Sequence, residues 1–409
     1  MKLKVGVLFG GESVEHEISI ISALQAMNAL DKDKYEVIPI YVSKARDFYT
    51  GEALKQVETY MDMKELERLA TRINLIKDGN QVVIQGVKRS LFSKNLNTVD
   101  VIIPVVHGTN CEDGSVQGFL EMLKIPYAGC DVIASAVGQD KVLMRHILQS
   151  EGIPQTPWFW TYSHEIEEKE TELKAKAAKL GYPLVVKPAC LGSSVGIEIV
   201  HSEAELMGAL EECSQYDFKI CIEKMVKPMR EVNCSVLGSC FDAKASVIEE
   251  VMKDQEHELL DFKDKYLGSG GTKGAKGVKA PVKGGTKGQG MASASRQVPA
   301  DLPEGMTERV QELAIKTYKA LGSAGVCRID CMINPETKEV FVNEINNIPG
   351  SLSFYLWKPA GVDFPELMDR LVAQALDRAR RREKMTFSYD TNVLANFQAG
   401  TKGSKGVKG

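Results

Sequence analysis

No stretch of this chain reaches the roughly 18 uninterrupted apolar residues that a membrane span needs. The first residues, Met1 to Val7, run directly into a strand pattern without a signal-peptide profile, so we expect a cytoplasmic protein with no membrane partner. The chain also lacks a basic stripe, and its formal net charge is −4, which argues against nucleic acid as a partner. This charge is compatible with binding of a metal ion or a nucleotide.

Cysteine pairs of the Cys-x-x-Cys type are absent, although the chain has nine cysteines. Cys327 and Cys331 lie inside one apolar run, and the others are scattered. An odd count in a chain without an export signal favours buried free thiols over disulfides or a cysteine metal site.

Apolar segments alternate with helix patterns in about the first 135 residues of the 409. We predict strands at Leu3 to Phe9, Tyr35 to Val42 and Val99 to Val106. Strands that are apolar on both faces and separated by helices predict a parallel α/β sheet. Ligands bind at the carboxyl ends of such strands, where Gly10-Gly11 and His107-Gly108 lie.

The remaining sequence predicts two further units, the first beginning near Lys141. The predicted elements are a helix at Val142–Gln149, strands before Lys187 and at Ile197–His201, Phe218–Glu223, Glu231–Leu237 and Ala245–Val251, a helix at Thr307–Leu321, a hairpin of Gly325–Ile333 with Glu339–Ile345, and a helix at Phe364–Arg382.

Two segments have a different composition from the rest. Residues 268–290 contain nine glycines and five lysines with no acidic residue, which predicts a mobile loop. Residues 401–408 repeat the pattern of residues 272–279 with one difference. We expect the tail to be disordered.

The clearest candidate site lies in the predicted hairpin. Residues two apart on a strand face the same side. Arg328 and Asp330 therefore share one face of the first strand, and Glu344 and Asn346 share one face of the second. The hairpin turn brings the two pairs together, and the oxygens of Asp330, Glu344 and Asn346 suit Mg²⁺ that also holds triphosphate. The alternative is a salt-bridged surface hairpin, but its apolar flanks favour a polar face that lines a cleft.

A second candidate site is the segment from Val185 to Gly196. An apolar strand delivers Lys187, and the turn that contains Gly192 and Ser193 exposes backbone N–H groups and hydroxyls, which suits phosphate oxygens. It is not a P-loop, because no Gly-Lys-Ser/Thr follows the glycines. Taken alone, such a turn is an ordinary structural turn.

Three other segments are weaker candidates. The strand end at Glu223-Lys224-Met225-Val226, with Glu231 nearby, can present backbone groups to adenine and a carboxylate to ribose, or be a plain linker. Glu15 precedes a helix, where capping is the alternative to binding. Glu112 and Asp113 follow His107 and are either binding residues or first-turn acids of a helix.

Taken in chain order, these segments resemble the D-alanine–D-alanine ligase family of the ATP-grasp superfamily. The motifs extend from residue 10 to about residue 360, and six of them in the same order are very specific. They are Gly10-Gly-x-Ser-x-Glu15, His107-Gly-x-x-x-Glu112-Asp-Gly114 with Gln117-Gly118, Lys187-Pro-x-x-x-Gly192-Ser-Ser-x-Gly196, Lys265-Tyr266, Arg328-x-Asp330 and Glu344-Ile-Asn346-x-x-Pro349-Gly350.

The resemblance implies an α/β fold with an N-terminal parallel α/β domain followed by a two-domain ATP-grasp fold that holds ATP. We place the substrate-binding domain at residues 1–138, the central ATP-grasp domain at 139–222 and the C-terminal ATP-grasp domain at 223–390. The loop at 268–290 is expected to close over ATP, and the tail at 391–409 to be disordered.

The resemblance also implies a reaction. One D-alanine carboxylate takes the γ-phosphoryl group of ATP, and the amine of a second D-alanine displaces phosphate from the acyl phosphate, giving D-alanyl-D-alanine for peptidoglycan synthesis. Two Mg²⁺ ions, with Mn²⁺ as an alternative, and a homodimer are implied too. An ATP-grasp ligase with another second substrate, such as D-serine, and a non-catalytic nucleotide-binding protein are the alternatives.

The residue roles follow from the same resemblance. Catalytic roles fall to Glu15, Ser193, Tyr266, Arg328 and the backbone N–H of Gly350; substrate binding to His107, Tyr355 and Leu356; ATP binding to Lys141, Lys187, Glu223, Lys224, Val226, Glu231 and Lys265; and metal binding to Asp330, Glu344 and Asn346.

Specificity for the second substrate depends on two tyrosines. Ligases of this family that accept D-lactate do not carry tyrosine at the position of Tyr266, so Tyr266 favours D-alanine. Tyr355 stands where many relatives have a serine that holds the second carboxylate, and its hydroxyl is expected to bind similarly. Cys111 and Cys190 also depart from the family pattern.

Overall fold

A computed structural model describes residues 2–87, 95–252 and 295–391 of the chain. The predictions for Lys265, Tyr266, the loop at 268–290 and the tail beyond residue 391 lie outside these residues. In the described ranges no helix is both long and apolar enough to span a membrane.

A seven-stranded sheet occupies the N-terminal part, in the order β6-β5-β4-β3-β2-β1-β7. Strand β1 pairs in parallel with β2 on one side and with β7 on the other, as predicted for strands apolar on both faces. The strands are β1 Leu3–Gly10, β2 Tyr35–Val42, β3 Phe48–Thr50, β4 Thr71–Asp78, β5 Gln81–Gly86, β6 Asn95–Val99 and β7 Val101–Val106.

The outer half of this sheet differs from the prediction. Strands β3 to β6 are antiparallel. The strand predicted at Val99 to Val106 is confirmed at Val101–Val106, but it starts later than predicted, because Val99 ends β6 and the chain breaks at Asp100. The Asp100 carboxylate accepts the backbone N–H of Lys4 at 2.8 Å, and the Asp100 N–H donates to the Lys4 carbonyl at 2.9 Å. These two bonds start β7 beside β1, while β6 pairs with β5.

An antiparallel four-stranded sheet follows, in the order β10-β9-β11-β8. Its strands are β8 Trp158–Tyr162, β9 Leu184–Pro188, β10 Glu198–Val200 and β11 Lys219–Lys224. Two helices contribute Leu173, Ala177, Leu206 and Leu210 to its buried core. Strand β9 is paired on both sides and packed on this core, and the predicted phosphate-binding turn follows its last residue, Pro188.

The third sheet is antiparallel, in the order β14-β13-β12-β15-β16. Its strands are β12 Arg230–Ser239, β13 Ala243–Met252, β14 Ser295–Gln297, β15 Ala324–Ile333 and β16 Val340–Asn346. Strands β15 and β16 form the predicted hairpin. The boundaries assigned to the three domains remain a prediction.

Most helices of the described residues cover these sheets. They are α1 His16–Ala29, α2 Met63–Leu69, α3 Ser115–Leu123, α4 Val132–Gln139, α5 Lys141–Ser150, α6 Glu170–Leu180, α7 Glu203–Ser214, α8 Met306–Ala320, α9 Phe354–Trp357 and α10 Phe364–Glu383, with 3₁₀ turns at Glu52–Lys55, Val57–Tyr60, Ser163–Glu165 and Gly350–Ser353.

Helix α10 returns to the N-terminal sheet and shares its core. Leu367 and Leu371 are buried in the same apolar cluster as Val5 and Val101. The Asp363 carboxylate accepts the Glu366 N–H at 2.9 Å, which caps the first turn. The N-terminal and C-terminal parts of the chain are thus packed together.

The cysteines are all free thiols, as predicted. Seven of them are buried, whereas Cys190 and Cys240 are half-buried.

Candidate active site

The hairpin of β15 and β16 brings the four predicted polar residues together. Asp330 lies directly opposite Glu344, and Arg328 lies opposite Asn346. The Asn346 amide donates to the Asp330 carboxylate at 3.0 Å. The shared face arises from the two-residue period of a strand.

Arg328 and Asp330 form a two-pronged ion pair along one strand. Arg328 Nε and Nη2 reach the two Asp330 oxygens at 2.6 and 2.7 Å. Burial raises the pKa of Asp330, although the Arg328 charge opposes this effect. Burial alone would lower the pKa of Arg328, but Asp330 outweighs it and raises that pKa, so the guanidinium stays charged.

The oxygen set fits a divalent cation. The possible donors are the carboxylates of Asp330 and Glu344 and the side-chain amide oxygen of Asn346. Among the described residues, no group of three or more His, Cys, Asp or Glu side chains is arranged to hold a metal ion. Glu344 lies 3.4 Å from the Lys141 ammonium and is partly exposed. Hard oxygens from few side chains suit Mg²⁺, which keeps waters and phosphate oxygens in its shell.

The turn after β9 has two serines in the left-handed backbone conformation. Ser193 and Ser194 adopt positive φ angles of 55° and 59°, which are uncommon for residues with a side chain. The Lys141 ammonium donates to the Leu191 carbonyl at 2.8 Å, and the Lys141 N–H donates to the Ala189 carbonyl at 2.9 Å. The turn is therefore held against the start of α5.

Lys187 belongs to a buried charge cluster. Its ammonium contacts the Glu223 carboxylate and the Asn343 side-chain oxygen, the latter at 3.1 Å. Glu223 also pairs with Arg145 and accepts the Thr156 hydroxyl at 3.0 Å. Burial alone would raise the pKa of Glu223, but the two cations outweigh burial and hold that pKa below its usual value.

Glu15 precedes α1, yet its side chain does not cap this helix. Instead, the carboxylate accepts a hydrogen bond from the Ser193 hydroxyl. Gly108 allows this approach, because an added Cβ would lie 2.2 Å from Ser13 Oγ and 2.9 Å from a Glu15 oxygen, at a φ of 81°. Capping of α1 by the Glu15 side chain is thus excluded, and the role of Glu15 in binding stays a prediction.

His107 and Glu112 tie the N-terminal loops to the segment after β16. A ring nitrogen of His107 lies 2.8 Å from the Ile348 carbonyl, and the other lies 3.0 Å from Ser22 Oγ. Glu112 accepts the N–H groups of Gly108 at 2.9 Å and of Ile348 at 3.1 Å. Burial lowers the pKa of His107, which favours a neutral ring.

Two cavities adjoin at these contacts. The carboxylate cavity is lined by, among others, Glu15, Glu112, Ser193, Arg328, Asp330, Glu344 and Asn346. The lysine cavity is lined by, among others, Lys141, Lys187, Glu223, Lys224, Val226 and Glu231. Lys141, Gly192, Ser193, Glu231 and Glu344 line both cavities.

Some residues predicted for substrate binding or catalysis lie outside both cavities. Within the described ranges, His107, Gly350, Tyr355 and Leu356 are not part of either lining. Leu356 is fully buried. The Tyr355 hydroxyl accepts Arg296 Nη1 at 3.0 Å and donates to Glu249 at 2.9 Å. Their assigned roles remain predictions.

Sequence reasoning missed Arg145 and Arg296. Arg145 lies on the buried face of α5, three residues after Val142 and three before Leu148. This helical spacing could have predicted that the Arg145 side chain is buried. Arg296 lies on the short strand β14 and lines the carboxylate cavity. A three-residue strand after a Gly/Lys-rich stretch offers no comparable signal.

Comparison with known proteins adds two kinds of match. A family model described as D-ala D-ala ligase N-terminus matches residues 4–130, and one described as D-ala D-ala ligase C-terminus matches residues 147–289 and 284–373. The D-alanine–D-alanine ligase of Thermosipho melanesiensis is 36% identical over 394 residues, which is 96% of this chain and 98% of that protein.

Two solved structures are similar in fold. The D-alanine–D-alanine ligase of Coxiella burnetii has a TM-score of 0.73 and 29% identity, covering 94% of this chain and 96% of that one. A D-Ala:D-Ser ligase of Enterococcus faecalis has a TM-score of 0.71 and 26% identity, covering 92% of this chain and 100% of that one.

The α/β fold and the two adjoining cavities define an ATP-grasp enzyme. The two family models and the full-length relative are all D-alanine–D-alanine ligases. The chain belongs to the D-alanine–D-alanine ligase family.

Proposed function

We propose that this chain is an ADP-forming ligase that joins two D-alanine molecules to D-alanyl-D-alanine for peptidoglycan precursor synthesis. The observation that carries the proposal is the shared lining of the two cavities by Lys141, Ser193 and Glu344. A nucleotide in the lysine cavity and an amino acid in the carboxylate cavity meet at these side chains. Phosphoryl transfer depends mainly on such positioning and on charge neutralisation.

ATP occupies the lysine cavity in this proposal. Lys141 and Lys187 hold the phosphates, since both residues line the cavity together with the Gly/Ser turn. The adenosine part lies along the strand end at Glu223, Lys224 and Val226, with Glu231 near the ribose. The role expected of Lys265, contact with the transferring phosphoryl group, falls outside the described residues.

Asp330, Glu344 and Asn346 hold two Mg²⁺ ions, with Mn²⁺ as an alternative. Bound divalent cations neutralise phosphate charge and polarise the phosphorus–oxygen bonds. Arg328 pairs with Asp330, and the Lys141 ammonium lies 3.4 Å from Glu344. Cations of the protein therefore lie beside both carboxylates of the hairpin.

The first D-alanine binds with its ammonium at Glu15 and near His107. Ser193 holds Glu15 from the phosphate-binding turn, so the substrate and nucleotide loops share one hydrogen bond. A substrate carboxylate oxygen attacks the γ-phosphorus; the bond from phosphorus to the β,γ-bridging oxygen breaks, and ADP leaves. The product of this step is D-alanyl phosphate.

The second D-alanine then attacks the acyl carbon through its neutral amine. A tetrahedral oxyanion forms, the amine loses a proton, and the carbon–oxygen bond to phosphate breaks. Arg328, which remains charged beside Asp330, and the Gly350 N–H stabilise the oxyanion.

D-Serine is the competing second substrate, because one similar structure is a D-Ala:D-Ser ligase. We favour D-alanine on the full-length sequence match. An ADP-release assay with ATP, Mg²⁺ and either D-alanine alone or D-alanine mixed with D-serine, D-lactate or L-alanine tests this choice. D-Alanine alone should give the highest rate and D-alanyl-D-alanine as product. A higher rate with D-serine, and a mixed dipeptide, would overturn it.

We also propose that the protein is a cytoplasmic homodimer. The family resemblance supports the dimer, and light scattering after gel filtration tests it. A mass near 45.0 kDa, that of one chain, would contradict the dimer.

A further inference from the structure

The carboxylate cavity contains a second arginine besides Arg328. Arg296 lies on β14, paired with Val251 of β13, and its side chain is 18% exposed. It lines the same cavity as Glu15, Arg328 and the acidic hairpin. Nothing in the roles proposed above uses this guanidinium.

One side of the Arg296 guanidinium is fixed by the protein. Nη1 donates to Glu249 at 3.1 Å and to the Tyr355 hydroxyl at 3.0 Å. Glu249 is fully buried and also accepts the Asn233 amide at 2.9 Å. These contacts hold the guanidinium in a single orientation at the cavity wall.

The other side of the guanidinium is not used by the described part of the chain. Within residues 2–87, 95–252 and 295–391, Arg296 Nε is buried without a hydrogen-bond partner, and Nη2 makes no hydrogen bond. A buried donor without a partner is unfavourable, so a ligand group that supplies an acceptor is stabilised there. The Nε–Nη2 edge of arginine matches the two oxygens of a carboxylate.

Neither neighbour offers an equivalent donor. Tyr355 has one hydroxyl proton, which it gives to Glu249, and its oxygen accepts from Arg296. Arg328 already uses its Nε and Nη2 on the two oxygens of Asp330. Of these three side chains, Arg296 alone lines the cavity with an Nε–Nη2 edge that has no hydrogen-bond partner among the described residues.

We propose that Arg296 binds the carboxylate of the second amino acid, with Glu249 and Tyr355 as positioning residues. This inference rests on the proposed ligase function, because only the accepting amino acid keeps its carboxylate in the product. It assigns the carboxylate to Arg296 in place of the Tyr355 hydroxyl that the family resemblance implies. The second substrate must then carry a free carboxylate.

A purely structural role is the competing explanation, since Arg296 also neutralises the buried Glu249. The two explanations differ in what they predict for an acceptor without a carboxylate. D-Alaninamide is such an acceptor, and it cannot serve as first substrate because it has no carboxylate to phosphorylate.

The experiment is a competition between D-alanine and D-alaninamide as acceptors, with the two dipeptide products quantified by mass spectrometry. The variants are Arg296→Gln and Arg296→Lys. Arg230→Gln is the matched control, because Arg230 forms a comparable pair with Glu250, the neighbour of Glu249 on β13, and lines neither cavity.

The wild-type enzyme and Arg230→Gln should strongly prefer D-alanine. Arg296→Gln should lower this preference by about 10- to 100-fold. Arg296→Lys should lie between wild type and Arg296→Gln, because lysine keeps the positive charge but lacks the two parallel N–H donors of arginine. A preference in both Arg296 variants within about two-fold of wild type would overturn the proposal. If Arg296→Gln does not fold, the Arg296→Lys ratio decides. Absence of both dipeptides and of ADP with wild type would instead refute the ligase function.

Discussion

The Ser193 hydroxyl donates a hydrogen bond to the Glu15 carboxylate across 178 positions of sequence. Ser193 belongs to the turn after β9, and Glu15 to the loop between β1 and α1. The bond therefore joins the proposed phosphate-binding turn to the proposed ammonium-binding residue. It couples the positions of the two substrates whose reacting atoms must meet.

Removal of this bond should reduce activity more than stability. A hydrogen bond to a charged group contributes about 1.5–3 kcal/mol, so Ser193→Ala should lower kcat/KM for D-alanine roughly 10- to 100-fold. ADP release measures the effect. Ser214→Ala is the control, because Ser214 is a half-buried serine that donates to the Glu211 carbonyl at 2.6 Å and lines neither cavity. Equal kcat/KM values in the two variants would remove Ser193 from the mechanism.

Glu344→Gln should reduce turnover by roughly 100- to 1000-fold and raise the Mg²⁺ concentration needed for half-maximal rate. Glutamine keeps the size of the side chain but loses the negative charge opposite Asp330. An ADP-release assay over a Mg²⁺ series measures both effects. Glu339→Gln serves as control in the same hairpin, since Glu339 is exposed and accepts the Thr337 hydroxyl. A Glu344→Gln enzyme that behaves like this control would contradict the metal assignment.

Glu223→Gln should destabilise the fold by about 3–5 kcal/mol, because it leaves the buried Arg145 and Lys187 without their shared anion. Urea denaturation at pH 7 measures the loss in the free energy of unfolding. Glu165→Gln, which breaks an exposed pair with Lys169, should change it little. Comparable losses in both variants would show that the buried cluster contributes no special stability.

Glu112 predicts a pH dependence of stability. Burial and the neighbouring Glu15 carboxylate raise the pKa of Glu112 from 4.5 to about 8. Between these values the folded chain keeps a proton that the unfolded chain has lost. The free energy of unfolding should therefore fall as pH rises through this window, by up to about 1.4 kcal/mol per pH unit from this group.

Denaturation of the ligand-free protein at pH 5.5, 6.5 and 7.5 measures this contribution. Glu112→Gln cannot titrate, so its stability should fall less steeply with pH than that of the wild type. The comparison concerns the slope, because glutamine also replaces one acceptor oxygen that serves Gly108 and Ile348. Identical slopes in the two proteins would mean that Glu112 is already ionised in the folded state.

Much of the fold followed from the sequence, because buried strands have a clear apolar pattern. Strand β1 and the β15–β16 hairpin lie close to their predicted positions. The antiparallel extension β3 to β6 was not predicted, since β3 has only three residues and β4 to β6 mix apolar with polar residues. The break at Asp100 depends on bonds to Lys4, which is distant in sequence.

Less of the candidate site than of the fold could be predicted from the sequence. Period-two spacing was sufficient to place Asp330 beside Arg328 and Glu344 beside Asn346. No local pattern places Ser193 beside Glu15, and the catalytic roles of the two residues came only from the family resemblance. Arg296 and its contacts with Glu249 and Tyr355 were missed, because they depend on the pairing of β14 with β13 rather than on a local pattern.

The transfer of an oxygen atom tests the central claim most directly, namely that a D-alanine carboxylate is activated by phosphorylation. D-Alanine labelled with ¹⁸O in both carboxylate oxygens is incubated with ATP and Mg²⁺, and the released phosphate is analysed by mass spectrometry. One ¹⁸O atom is expected in each phosphate formed, because the bond broken in the second step joins the acyl carbon to that oxygen. Release of phosphate without ¹⁸O, alongside dipeptide formation, would contradict it.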